Sequence, residues 1–295
     1  MTTVSKPVPV PVQLGLPRRL VEFTLDDEPV RVPEGSTILD ACEAAGKDIP
    51  TLCYGDTLTP KNACRVCVVE VEGARTLAPA CSRKAEPGMT VRTDTERARH
   101  SRKIVLELLA SSVDLSTTPH VAGWIREYGA EPDRFGPDAA TVGGRAPKVD
   151  NELYVRDYSK CIMCYKCVDA CGDQWQNSFA IAVAGRGFDN TISVEHDAPL
   201  TDSACVYCGN CIEVCPTGAL SFKTEFDMRE AGTWDEDAQT EATTICAYCG
   251  VGCNLTLHVQ DNEIVKVTSP HDNPVTHGNL CIKGRFGFQH VQNRD

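Results

Sequence analysis

From Val21 the apolar positions alternate with polar ones. Val21, Phe23 and Leu25 precede the acidic run Asp26 to Glu28, and Val30 and Val32 follow it. A period of two with a turn at its centre predicts a hairpin with one buried face. Thr37 and Asp40 then stand in the register of a capping box, and Ile38, Leu39, Cys42 and Ala45 fall on one side of the helix behind it. Residues 97–112 predict a longer helix, with Ile104, Leu106, Leu108 and Leu109 on its buried side after the basic stretch Arg97 to Lys103. Far along the chain Leu255, Leu257 and Val259 alternate, Asp261 and Asn262 supply a turn, and Ile264, Val265 and Val267 resume, which predicts a second hairpin.

Three stretches lack such a period. Residues 1–17 mix Val and Pro and are expected to form a flexible tail or an arm laid on a partner. Residues 133–148 are rich in Gly, Pro, Ala and Asp, and residues 228–243 are acidic and weakly apolar, so both read as connections.

Composition narrows the function. Seventeen cysteines in 295 residues fall below the content of a disulfide scaffold, and no signal peptide precedes them. A reducing, cytoplasmic location is expected, where grouped cysteines are metal ligands more often than cystines. Arg18 and Arg19 form a twin-arginine pair, but the acidic residues after it do not make an export signal. A net charge of −12 argues against nucleic-acid binding, and no apolar run is long enough for a transmembrane helix.

The cysteines fall into four sets and leave one over. Cys53, Cys64, Cys67 and Cys81 place one Cys-x2-Cys loop between two single cysteines, a spacing related to plant-type 2Fe-2S domains; the alternative is a structural zinc site. Cys42 precedes this set on the apolar helix face and reads as a buried core thiol rather than a fifth ligand.

Cys161, Cys164, Cys167 and Cys171 repeat as Cys205, Cys208, Cys211 and Cys215, the last followed by Pro216. In two-cluster ferredoxins the fourth cysteine of each run ligates the other cluster. Hence Cys161, Cys164, Cys167 and Cys215 are expected to hold one 4Fe-4S cluster, and Cys171, Cys205, Cys208 and Cys211 a second. Cys246, Cys249, Cys253 and Cys281 suit a third 4Fe-4S cluster, although a zinc ribbon could use the same loop.

The stretches IPTLCYGDTLTPKNACRVC with APAC, the two ferredoxin runs, and CAYCGVGCNL with NLCIKGRFG cover nearly the whole chain from residue 20. Through them the chain resembles the N-terminal iron-sulfur region of NAD-dependent molybdenum or tungsten formate dehydrogenase α subunits, in the molybdopterin oxidoreductase family. It is more distantly similar to the large iron-sulfur subunit of respiratory complex I.

The resemblance implies an iron-sulfur reading of the fourth set, and it makes Lys283 the lysine between cluster and pterin. The expected fold is α+β. Residues 1–17 are the flexible tail, 18–96 a β-grasp 2Fe-2S ferredoxin-like domain, 97–150 a helical connector and 151–227 a two-cluster 4Fe-4S ferredoxin domain. Residues 228–243 are a linker, and 244–295 a small β-rich 4Fe-4S domain of molybdopterin-oxidoreductase type.

Two departures follow. Relatives often carry a site of one histidine and three cysteines after the helix of residues 97–112, but residues 111–120 hold no cysteine, which leaves His120 without that role. The bis-pterin molybdenum or tungsten cofactor has no site in these residues and is expected on a molybdopterin-binding catalytic subunit.

No catalytic acid, base or nucleophile is expected here. Electrons would enter at the cluster of Cys246 to Cys281, cross the two ferredoxin clusters and reach the 2Fe-2S centre, from which a flavin/NAD-binding diaphorase-type subunit reduces NAD. Rival readings are an electron-transfer subunit of another molybdopterin oxidoreductase, one of a hydrogenase or complex I-like enzyme, and a zinc-stabilised interaction protein.

Overall fold

A computed structural model describes residues 18–293, so the expected tail at 1–17 lies outside the described residues. The chain divides into two compact units. The first comprises residues up to 54, residues 60–111 and residues 119–139; the second comprises 55–59, 112–118 and the chain from residue 140.

In the first unit, β1 (Leu20–Leu25) and β2 (Glu28–Pro33) form the first hairpin. Asp26 and Asp27 both carry positive φ, 47° and 67°, as a tight two-residue turn requires. α1 (Ile38–Ala44) opens on a capping box: the Asp40 N–H donates to Thr37 Oγ1 at 3.1 Å and the Thr37 N–H to Asp40 Oδ2 at 2.7 Å. β3 (Val68–Val71), β4 (Ala78–Pro79) and β5 (Thr90–Arg92) complete a sheet of order β2-β1-β5-β3-β4. Its β1–β5 pair is parallel and its other pairs are antiparallel. Phe23, Leu25, Ile38, Leu39, Val69 and Val91 fill the core under α1, and Cys67 and Cys81 belong to the same cluster.

α2 (Glu96–Ser112) has a buried face different from the expected one. Ala98, Arg102, Leu106 and Glu107 are buried, whereas Leu108 is 49% exposed. At 100° per residue, Leu106 and Leu108 cannot share a narrow face, and the i, i+4 row from Ala98 through Arg102 to Leu106 takes the core side. The two buried charges are satisfied. Arg102 donates to the carbonyls of Val68 and Thr93, each at 2.9 Å, and to Tyr128 Oη at 3.1 Å. Glu107 accepts from Arg134 Nη1 at 2.7 Å and from the Glu131 N–H at 3.1 Å. His120 stands in α3 (Pro119–Glu127) and packs edge-on against Trp124, with ring centroids 5.1 Å apart.

In the second unit, β6 (Tyr154–Arg156) pairs with the distant β9 (Leu220–Phe222), which closes the segment that carries the cysteine repeat. Between them lie α4 (Lys166–Cys171), the ribbon of β7 (Ala182–Ala184) and β8 (Thr191–Ser193), and α5 (Asn210–Glu213). α6 (Lys223–Glu230) follows, and the expected linker at 228–243 therefore begins inside a helix and ends inside a strand. β10 (Thr240–Ile245), β11 (Asn254–Gln260) and β12 (Glu263–Thr268) form the last sheet. β11 and β12 are the second hairpin, turning at Asp261 and Asn262, both of positive φ. α7 (Ile282–Phe286) lies against β12, and α8 (Gln289–Gln292) follows it. No described helix is long and apolar enough to cross a membrane.

Candidate functional site: four cysteine cages

The cysteine loops are built on left-handed backbone. In the first run of the repeat Met163 and Tyr165 have positive φ, and in the second run the equivalent Tyr207 and Gly209 do. Each reversal of curvature turns the loop back on itself, so that the first three sulfurs of a run, three positions apart, line one interior. Bulky residues in this region cost of order 1–3 kcal/mol each and persist where surrounding structure over-determines them. Arg65, between Cys64 and Cys67, adopts the same conformation, with φ 61°.

Two cavities of the second unit are lined by cysteine. Cys161, Cys164, Cys167 and Cys215 line one, together with Tyr158, Ile192 and Leu220. Cys171, Cys205, Cys208 and Cys211 line the other, with Tyr154, Arg156 and again Tyr158. In the first unit the Cys64 N–H donates to Cys53 Sγ at 3.4 Å, while Cys81 Sγ lies 3.6 Å from Asn62 Oδ1. Near the C-terminus Cys246 is buried and Cys249 and Cys281 are exposed; Lys283, in the first turn of α7, is exposed as well. Cys42 is fully buried in the core under α1, and burial pushes its thiol up to about 12.

The electrostatics of the cages call for a cation. Burial raises Cys161 to about 11 and Cys164 to about 12, and it pushes Cys167 and Cys211 well above the usual thiol range, with neighbouring sulfurs adding to the effect. Burial likewise raises Cys208 and Cys253. Within the first set the Cys53 contact lowers Cys64 to about 6, and the Cys81 contact lowers Cys67. Several buried sulfurs gathered around one void become thiolates together more readily when positive charge enters it.

A charged network joins α7 to the second cysteine run. Arg285 of α7 is completely buried. It pairs with Glu213 and donates from Nε to the Cys208 carbonyl at 3.0 Å, and from Nη2 to Asn210 Oδ1 and the Gly278 carbonyl, each at 3.2 Å. His271 continues the chain of charges, with Nε2 3.3 Å from Glu213 Oε1 and Nδ1 3.1 Å from Asp56 Oδ1.

Gly209 leaves room for this arginine. A Cβ there would stand 2.2 Å from Arg285 Cδ, on backbone of φ 71°. Gly209→Ala should destabilise the loaded protein by more than about 1 kcal/mol, read as a lower thermal midpoint.

Asp56 and Glu213 hold the His271 imidazole up at about 9, against the opposing effect of burial. A histidine raised in the folded state stabilises fully below its unfolded value of about 6.5, and that contribution is lost as pH rises through about 9. The thermal midpoint should fall across this window in the native chain, and His271→Gln should flatten that part of the profile.

The cysteine registers pointed to the sulfurs that line the two cavities. Tyr154, Arg156, Tyr158, Glu213, His271 and Arg285 carried no comparable signal, although Arg285 sits inside the quoted NLCIKGRFG.

Family models match the three cysteine-bearing regions. Residues 18–96 match the 2Fe-2S iron-sulfur cluster binding domain, residues 152–221 the ferredoxin-like domain of NADH-quinone oxidoreductase subunit 3, and residues 239–293 the molybdopterin oxidoreductase Fe4S4 domain. The chain thus carries 2Fe-2S and 4Fe-4S domains of the electron-transfer kind found in oxidoreductases, in a mixed α and β fold. More particularly, it resembles the iron-sulfur region shared by molybdopterin oxidoreductases of the formate dehydrogenase kind and the large iron-sulfur subunit of complex I.

It is 33% identical over 94% of its length to an NADH-quinone oxidoreductase subunit of Rhizobium meliloti (strain 1021), covering 32% of that protein. It is 26% identical over 91% of its length to a "Putative formate dehydrogenase" of Staphylococcus haemolyticus (strain JCSC1435), covering 31% of it. The chain thus spans about a third of the length of these relatives. Among solved structures, an NAD+-reducing [NiFe]-hydrogenase in the H2-reduced state matches with a TM-score of 0.58 and 27% identity, over 69% of this chain and 87% of that one.

Proposed function

We propose that this chain carries electrons between a partner's molybdopterin site and a flavin/NAD-binding subunit, as the iron-sulfur portion of an NAD-dependent formate dehydrogenase complex. The observation that carries the reading is the molybdopterin oxidoreductase Fe4S4 domain at residues 239–293, joined in one chain to three further cysteine sets. A thiolate-held cluster supplies one-electron redox with little change of geometry.

The residues of this chain bind and tune. Cys53, Cys64, Cys67 and Cys81 hold the 2Fe-2S cluster in a β-grasp domain. The sets lining the two cavities hold one 4Fe-4S cluster each, and Cys246, Cys249, Cys253 and Cys281 hold the third. The domain boundaries proposed are those read from the sequence, except that the connection before the last domain narrows to residues 231–239, in a reducing, cytoplasmic setting.

Exposure of Cys249, Cys281 and Lys283 at one end supports electron entry there. Ile245, Val251 and Val291 are each more than 60% exposed in the same region, and β10 is exposed along its whole length. An uncovered edge strand and apolar side chains of this size suit docking against a pterin-binding portion that bears the molybdenum or tungsten and its bis-pterin. Lys283 would then lie on the electron path to the pterin. The similarity to the hydrogenase structure favours a second reading, in which the same electron-transfer chain serves a hydrogenase or complex I-like enzyme.

Anaerobic co-purification with native partners, followed by comparison of formate-dependent and hydrogen-dependent NAD reduction, separates these readings. Formate-dependent activity is expected. Activity with hydrogen and none with formate overturns the formate assignment.

A further inference from the structure

The two ferredoxin-type cages are built from one repeated motif, yet their surroundings differ. Tyr154, 1% exposed, places its hydroxyl 2.9 Å from Cys205 Sγ. Since a ligating sulfur is a thiolate, this hydroxyl is the donor once the cage is filled. Arg156 is 2% exposed and lines the same cavity. Its Nη2 pairs with Asp150 and its guanidinium also acts on the Tyr158 hydroxyl, while neither Nε nor Nη1 makes a well-formed hydrogen bond. Arg285 Nε reaches the carbonyl of Cys208, a third residue in the register of this cage.

The cage of Cys161, Cys164, Cys167 and Cys215 is served from farther away: Thr217 Oγ1 stands 3.9 Å from Cys215 Sγ, and the charges that act on Cys161 and Cys164, those of Arg145 and Lys166, belong to partly exposed residues. It shares the Tyr158 side chain, which lines both cavities and whose buried hydroxyl interacts with the Arg156 guanidinium. Orphaned buried donors cost roughly 1–3 kcal/mol each unless something accepts from them. Here the acceptors that could fill the cavity are the sulfurs of a cluster.

We propose that the cluster held by Cys171, Cys205, Cys208 and Cys211 is the more oxidising of the two ferredoxin-type clusters, and that Tyr154 and Arg156 are the positioning residues that make it so. The inference rests on the cluster assignment made above. Each cluster takes up one electron and gains one negative charge, with no bond made or broken. Donors and positive charge beside the sulfurs stabilise the more negative, reduced form, so the potential rises. The first electron to enter the pair therefore rests in this cage, next to α7 and the last cysteine set. Phe286 of α7 reinforces the placement by stacking on Tyr154, with centroids 6.0 Å apart.

The test is a potentiometric titration of the anaerobically loaded full chain, followed by electron paramagnetic resonance. Cys161→Ser perturbs the other cluster and so labels its signal. Tyr154→Phe keeps the ring and removes only the donor; it should shift the reduction equilibrium of the unlabelled ferredoxin-type cluster at least threefold toward the oxidised form. Arg156→Gln should shift the same couple about tenfold, which is about 59 mV for one electron, and Arg156→Lys should recover part of it.

The proposal is overturned if Tyr154→Phe leaves both couples in place, if it moves the couple that Cys161→Ser labels, or if the labelled cluster is reduced first in the native chain. Iron content too low for two 4Fe-4S clusters, or absence of their signals, would instead strike the cluster reading itself.

Discussion

Cys215→Ala should abolish the same cluster as Cys161→Ala, not the one lost in Cys205→Ala. Cys215 lies in the second cysteine run but lines the cavity of the first, with Cys161, Cys164 and Cys167. A 4Fe-4S cluster without its fourth thiolate is expected to be lost or degraded in most molecules, removing about four irons from the roughly fourteen that one 2Fe-2S and three 4Fe-4S clusters contain. Iron analysis gives the size of the loss, and paramagnetic resonance gives its identity. If Cys215→Ala instead erases the signal erased by Cys205→Ala, each run holds its own cluster and the crossed assignment is wrong.

Arg285→Ala should cost up to about 3–5 kcal/mol, since it leaves the buried carboxylate of Glu213 with His271 as its remaining charged partner. Arg285 is 0% exposed and the Glu213 side chain 8%, and the guanidinium also serves the carbonyls of Cys208 and Gly278. Thermal or denaturant unfolding of the loaded protein reads the loss, and limited proteolysis at residues 231–239 should accelerate as β10–β12 and α7 loosen. Arg285→Lys keeps the charge without the planar fork and should fall between the two. Combining Glu213→Gln with Arg285→Met should recover much of the stability, because no buried charge is left alone. A loss below about 1 kcal/mol in Arg285→Ala would show that the network does not hold this part of the fold.

The elements that the sequence announced are those whose signals are local. The hairpin of β1 and β2, the capping box at Thr37 and Asp40, and the turn at Asp261 and Asn262 each depend on residues a few positions apart. α2 shows the limit of that legibility. Its existence was plain, but its buried face was not, because Arg102 and Glu107 enter the interior only where Val68, Thr93, Tyr128 and Arg134 arrive to satisfy them. The helix at His120 falls within the expected helical connector, but its bounds are not legible for a similar reason: its short apolar face acquires meaning only from packing.

The sequence alone determined which chemistry the chain can support, since sulfur is a ligand wherever a short loop brings thiolates together, and the loop spacing is written in the primary structure. It could not determine what surrounds those sulfurs. The left-handed turns at Met163, Tyr165 and Tyr207 follow from closure of the loops rather than from residue preference. Tyr154 reaches Cys205 across 51 positions and Arg285 reaches Cys208 across 77, while Arg156 comes to the same cavity from β6. Contacts at such separation leave no periodic trace in a single chain, and only the folded backbone, by bringing β6 and α7 to the second cysteine run, decided the electrostatic setting in which a cluster would work.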